Sequence, residues 1–428
     1  MSEASNHSPE LKTSPRICIV AQNALPVVDP TVKAHFGGLE TSAWLTAKGL
    51  ATTFNLDVAL LVRDSQRRPI TLVNNVRIHT RAAPLELLRN SLEGKCQVVT
   101  NFPWLKISHW DSSLIWKVPL LAGLRPFKQK SSCPEVVDEL AKLQHDIVCL
   151  FGVSNVAAAA VRILKERSEK TFLFVRSNAG LNERFITDEN FTDEYGVNGS
   201  DASYALTHAD QVVTQTTHQQ RILKERFGVD SRVAGNPFDM DKWNSNLHGD
   251  IELSAALDRY VLWIGRSDRH HKRPLLFLEA ARRCPNVKFL MLLNRGNSDV
   301  REEIERRCPE NVTIINHISY AKMPLVFDRC EALVVTGSVE FEGLPNVVLQ
   351  AAATGKPVLG LDYIPEPFEA VGGAIVSGSV EQLAVDIQRC WNDDKFAAEL
   401  GKKGQQYMST HGNLPAYSKR IAEILEVL

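Results

Sequence analysis

Ala332-Leu-Val-Val335-Thr-Gly-Ser-Val-Glu-Phe-Glu342-Gly-Leu-Pro345-Asn-Val-Val-Leu-Gln350-Ala-Ala-Ala-Thr-Gly355-Lys-Pro357-Val-Leu-Gly-Leu361 is the stretch whose reading decides the fold. An apolar run of strand length, Ala332 to Val335, gives way to a polar loop. Pro345 fits the first position of a helix running to Thr354, and Gly355 fits the position just past its end. A second apolar run, Pro357 to Leu361, follows at once. Strand, helix and strand in so few residues form a βαβ unit, and such units build a mostly parallel sheet.

Working outward, the same alternation covers nearly the whole chain. Upstream lie strand Tyr260 to Ile264, helix Pro274 to Arg283, strand Val287 to Leu293, helix Asp299 to Arg307, strand Val312 to Ile315 and helix Lys322 to Asp328. Before a break at Ala234-Gly-Asn-Pro237, a first series runs from strand Arg16 to Val20 through helix Leu39 to Ala51 and strands Asp57 to Val62 and Val76 to Thr80. It resumes with helix Pro134 to Gln144, strand Asp146 to Phe151, helix Asn155 to Lys165, strands Thr171 to Val175 and Gln211 to Thr214, and helix Thr217 to Phe227. The reading is an α/β chain: a polar tail over 1–15, a doubly wound domain over 16–236, a linker over 237–256 and a second doubly wound domain over 257–428, the two facing each other across a cleft.

Composition narrows the function without naming it. Lys and Arg number 49 against 50 Asp and Glu, a net charge of −1, which speaks against a dedicated nucleic-acid binder. The eight cysteines, at 18, 96, 133, 149, 284, 308, 330 and 390, include no closely spaced pair of the kind that holds zinc, nor a disulfide framework. The expected compartment is reducing and cytoplasmic. No apolar leader and no membrane-spanning stretch is expected.

In doubly wound sheets ligands bind beyond the carboxyl ends of the strands, so the loops that follow strands are where chemistry is sought. After Val335, the amides of Gly343, Leu344, Asn346 and Val347 head a helix with no side-chain cap, a ready anion site. Glu342 in that loop and Gln350 on the second turn are eight apart and can reach different parts of one elongated ligand. As a loop carboxylate, Glu342 is expected outside the core. After Ile264 come Gly265-Arg266 and, past His270-His271, Lys272; two cations beside one cleft suit a diphosphate. The histidines lack further ligands at metal spacing, so no metal site is expected. A long loop, Ala21 to Gly37, follows the first strand and ends in Gly37-Gly38, where backbone can approach a ligand closely. No GxGxxG fingerprint and no P-loop is present.

These residues resemble a GT-B-fold glycosyltransferase of the large family 4, the "glycosyl transferases group 1" type. The likeness spans Gly37-Gly38-Leu-Glu40, Ala209-Asp-Gln-Val-Val213, Asn236-Pro-Phe-Asp239, Gly265-Arg266 with Lys272, and Glu342-Gly-Leu-Pro-Asn346 leading to Ala351 and Gly355-Lys-Pro357. The resemblance implies two Rossmann-like domains with C-terminal helices packing back toward the first. It implies that Arg266 and Lys272 hold the donor diphosphate and that Glu342 contacts the donor sugar. The second Glu of the family's Glu-x7-Glu motif, which holds the ribose, is Gln350 here, and Phe151 stands where many relatives have a His.

The expectation is thus a retaining, hexosyltransferase-like enzyme that moves a sugar from a nucleotide-diphospho-sugar to a glycan or lipid-linked acceptor. It would need no cofactor and no metal, and would serve cell-surface polysaccharide or glycoconjugate synthesis. Two other readings stay open: a GT-B-fold sugar-nucleotide epimerase and a catalytically silent sugar-nucleotide-binding protein. Residues 93–130 stand apart. Three tryptophans (Trp104, Trp110, Trp116) lie among six cations (Lys95, Lys106, Lys117, Arg125, Lys128, Lys130) and two acids (Glu93, Asp111), 6 − 2 = +4. Such a segment suits either packing on the first domain or contact with the cytoplasmic membrane face.

Overall fold

A computed structural model describes residues 14–32, 36–64, 69–82, 88, 92, 95–98, 105–107, 110–124, 139–167, 169–188, 190–249, 251, 257–294 and 296–428. Residues 1–13 of the tail expected over 1–15, the start of the helix at Pro134, and Trp104, Arg125, Lys128 and Lys130 lie outside them.

Two sheets organise the chain. The first contains β1 (Ile17–Val20), β2 (Val58–Asp64), β3 (Thr71–Val73) and β4 (Val76–Ala82). A separate short hairpin, β5 (Cys96–Val98) and β6 (Leu105–Ile107), interrupts the series, which then continues with β7 (Ile147–Phe151), β8 (Lys170–Phe174), β9 (Gln211–Thr214) and β10 (Ser231–Val233). Their order is β10-β9-β8-β7-β1-β2-β4-β3, parallel throughout except for the β3–β4 edge pair. The second sheet contains β11 (Tyr260–Arg266), β12 (Phe289–Asn294), β13 (Val312–Ile315), β14 (Cys330–Val335), β15 (Val358–Gly360) and β16 (Ala374–Val376). It is wholly parallel, in the order β13-β12-β11-β14-β15-β16.

Central strands such as Ile17–Val20, Ile147–Phe151 and Phe289–Leu293 are buried along their length. Helices cover both faces, so no solvent face needs polar residues and the strands read as continuous apolar runs. Several helices begin where the sequence offers a capping oxygen. Ser154 accepts from the Ala157 amide at 3.2 Å ahead of Asn155–Glu166, and Thr216 accepts from the Gln219 amide at 3.1 Å ahead of Thr217–Phe227.

In each sheet the strand order reverses once, between β7 and β1 in the first and between β11 and β14 in the second. A crevice opens where connections leave such a point in opposite directions. Both long loops of interest, after β11 and after β14, flank the second reversal.

Three expectations change. The expected linker carries a helix, Met240–Ser245, whose Trp243 is buried with Phe238 and Phe327 in the second domain's core. The helix expected from Pro345 runs Asn346–Ala353, with Pro345 as the extended N-cap residue. The long loop after β1 contains a short helix, Leu25–Val28. At the far end, helix Leu414–Ile424 leaves the second domain and places Tyr417, Ile421 and Ala422 in the core of the first.

Candidate active site

The loops after β11 and β14 are tied to each other before they hold anything else. The Thr336 hydroxyl donates to the Lys272 carbonyl at 2.7 Å and accepts from Trp263 Nε1 at 2.9 Å. The Ser338 amide donates to the His271 carbonyl at 3.0 Å. Arg273 donates to the Thr336 and Gly337 carbonyls at 2.6 and 2.9 Å and pairs with Asp362 at 2.5 Å. Its backbone is left-handed, φ 48°, a conformation that costs a non-glycine residue roughly 1 kcal/mol or more. Three side-chain bonds hold it there.

This frame brings together the residues expected from the sequence. Glu342 is only 6% exposed, so the expectation of a carboxylate outside the core is corrected. Lys272 Nζ pairs with its Oε1, and His271 Nε2 lies 3.1 Å from the same oxygen. Arg266 lies 3.0 Å from His271 Nδ1 and 3.3 Å from the Tyr195 hydroxyl. A guanidinium can only donate, so Nδ1 accepts from Arg266 and Nε2–H is left to donate to Glu342. The two cations are therefore linked through His271 and Glu342. Burial pushes the Glu342 carboxyl up, but the Lys272 charge and the His271 hydrogen bond outweigh it and hold the carboxyl down at about 2.

The helix that follows supplies the anion-binding element. Asn346 and Val347 open its first turn, where amides lack intrahelical acceptors. The Val348 amide closes back on Pro345. Leu344 departs from expectation: its amide donates to Gln215 Oε1 of the first domain at 3.2 Å, so it is not an open donor. The Gly343 carbonyl accepts from the Tyr363 hydroxyl at 3.0 Å. Gln350 is buried.

The first domain meets this element with polar groups. Asn236 donates to the Leu344 carbonyl and to Asn346 Oδ1, both at 2.8 Å, while its own Oδ1 accepts from Gln215 and Arg176. Ser177 Oγ donates to the Phe341 carbonyl at 2.7 Å. Gly38 lies so close that a Cβ there would be 3.0 Å from Asn346 Nδ2, which places the Gly37-Gly38 turn at the head of the helix. Beyond it, at the first sheet's reversal, opens a cavity of about 240 Å³ lined by Gln22, Asn23, Glu40, Arg63, Phe151 and Ser154 among others. Phe151 has no hydrogen-bonding atom to offer there, and its ring stacks on Phe174, centroids 4.5 Å apart. Among the described residues no group of three or more His, Cys, Asp or Glu could hold a metal ion.

His271, Tyr195, Gln215 and Asn236 were not singled out as site residues in the sequence. Two of them carried a signal: His271 by its position beside Lys272, and Asn236 as the head of the Asn236-Pro-Phe-Asp239 turn.

Residues 258–393, nearly all of the second sheet and its helices, match the family model described as Glycosyl transferases group 1. Over the whole chain, the protein is similar to solved GT-B structures. Sucrose-phosphate synthase from Thermosynechococcus elongatus is 16% identical, with 96% of this chain and 98% of that one covered and a TM-score of 0.67. The UDP-forming α,α-trehalose-phosphate synthase from Burkholderia vietnamiensis is 12% identical, covering 96% and 100% at a TM-score of 0.64. TarM from S. aureus is 14% identical, covering 96% and 99% at 0.63. At such identities the likeness shows the fold, which is GT-B. No curated protein sequence matches the chain.

Proposed function

We propose that this chain is a retaining glycosyltransferase that takes a sugar from a nucleotide-diphospho-sugar and passes it to a glycan or lipid-linked acceptor. The observation that carries this reading is the convergence of Arg266, Lys272, Glu342 and the open turn at Asn346 on one sheet reversal, facing the cavity of the other domain. Breaking the glycosidic bond leaves negative charge on the departing diphosphate. Preorganised cations and amides aimed at that charge lower the barrier. The reading assigns this work to Arg266, Lys272 and the Asn346 and Val347 amides rather than to a metal ion.

Glu342, ionised across the physiological range, accepts from a sugar hydroxyl and fixes the donor without attacking it. Gln350 reaches the ribose by hydrogen bonds that lack the strength of a charge-assisted pair. The cavity after β1 and β7 takes the acceptor. A place in cell-surface polysaccharide or glycoconjugate synthesis, on the cytoplasmic side, belongs to the same proposal.

A panel of nucleotide sugars in a thermal-shift assay identifies the donor, since a ligand at 100 times its Kd adds about 2.7 kcal/mol of stability. With that donor, Arg266→Ala and Lys272→Ala each lower kcat/KM by roughly 10²-fold. Wild-type turnover by both variants would refute the diphosphate assignment. Donor incubated alone yields new sugar epimers only if the chain is an epimerase, and donor binding without any transfer marks a silent binding protein.

A further inference from the structure

The helix Leu114–Leu124 lies in the first domain between the β5–β6 hairpin and β7, and its exposed face is built the wrong way round for water. Among its described side chains only Leu114 is buried. Ile115 is 66% exposed, Trp116 55% and Leu120 44%, and Trp110, just ahead of the helix, is 68% exposed. At 100° per residue, Ile115, Pro119, Trp116 and Leu120 fall on one side of the helix. Every one of them is apolar and exposed, where a surface helix ordinarily carries charge. So concentrated an apolar surface marks an interaction site.

Charge tells which partner. Lys117 Nζ sits 5.6 Å from the Trp116 ring centroid, at the border of the apolar face. The nearest preceding acid, Asp111, is paired with Lys95 at 2.5 Å. In the sequence, Arg125, Lys128 and Lys130 follow the helix directly, and 93–130 as a whole carries 6 − 2 = +4. Tryptophan and leucine on one side with lysine at the edge match the two layers of a lipid interface: rings at headgroup depth, ammonium groups among the anionic phosphates. No described helix is long and apolar enough to cross a membrane, so the contact is with the surface alone.

We propose that the Leu114–Leu124 face docks this chain on an anionic lipid surface, with Trp110, Ile115, Trp116 and Leu120 inserted and Lys117 at the headgroups. The test uses the full chain and needs neither donor nor acceptor, so it stands or falls separately from the transferase reading. Flotation with phosphatidylcholine vesicles, with and without phosphatidylglycerol, shows binding only to the anionic vesicles, weakened by added salt. Lys117→Glu reverses one charge, two units, and at about fivefold per unit weakens binding by roughly 25-fold. Ile115→Ser with Leu120→Ser abolishes it, and because these side chains are exposed the thermal melt is unchanged; should that double variant melt early, Lys117→Glu alone decides. No binding to anionic vesicles at low salt overturns the proposal. So does binding that ignores lipid charge, or a self-associated chain that the Ile115→Ser change turns monomeric while vesicles stay bare.

Discussion

A carboxylate as buried as Glu342 would ordinarily pick up a proton, and it stays ionised only because Lys272 and His271 flank it. Its carboxyl falls from an ordinary 4.5 to about 2 on folding, so the unfolded chain binds the proton first as pH drops. The stabilisation, about 3 kcal/mol from the size of that shift, is present above the unfolded value and drains away between pH 4.5 and 2. Urea unfolding checks this: Glu342→Gln, which has no such proton to bind, is less stable than wild type near neutrality, and the gap closes on acidification through that window. The same variant loses most transferase activity. Gln350→Glu is the second residue-scale prediction. If Gln350 holds the ribose as proposed, the change tightens binding of the donor nucleotide in a titration, because the ribose gains a charge-assisted acceptor. Much weaker binding would show that the ribose is held elsewhere.

Elements place these residues, and the tightest placement is at the turn that leads into Asn346–Ala353. A Cβ on Gly343 would stand 2.0 Å from Gln215 Oε1 and 2.5 Å from Gln219 Nε2. Both glutamines are buried and mutually hydrogen-bonded, with Gln219 also donating to Asn178 at 2.9 Å, so neither can swing away without leaving a polar atom unpaired. Gly343→Ala is therefore expected to cost about 1–3 kcal/mol and to weaken nucleotide binding, because relief comes only by moving the loop that carries Glu342. Thermal melts and nucleotide titration measure the two effects. An unchanged melt would mean that Gln215 repacks freely and that the turn is not fixed from the first domain.

Over the whole molecule, the two domains are joined both by the polar contacts at the cleft and by the returning C-terminal helix. That helix packs where helix Gly38–Phe54 has a glycine: a Cβ on Gly49 would lie 2.0 Å from Ser418 Oγ and 3.1 Å from Leu414 Cδ1. Tyr417 reaches the Thr46 hydroxyl at 3.0 Å one turn away. Gly49→Val is expected to lift helix Leu414–Ile424 from the first domain, at a cost of about 1–3 kcal/mol for overpacking, and to expose Ile421 and Ala422. Urea unfolding followed by two probes, one per domain, then separates into two transitions. A single transition at the wild-type midpoint would show that the helix is not what couples the domains.

The alternation of short apolar runs with helical patterns determined the two doubly wound domains from sequence alone. Strands covered on both faces must be apolar throughout, and that pattern is written locally at 332–335 as at 17–20. Arg266, Lys272 and Glu342 stood out as candidates for a related reason: each ends or follows a strand, where such sheets leave a crevice, whereas Gln350 stood out by its spacing from Glu342. Local pattern says nothing of strand order, however. Only the tertiary structure made β11 and β14 neighbours, and that adjacency wires Arg266 to Glu342 through His271, turning an apparently surface loop acid into a buried, paired one. It also closed the Leu344 amide with Gln215, 129 residues away in the chain. Such contacts join groups distant in sequence through hydrogen bonds that no periodicity encodes.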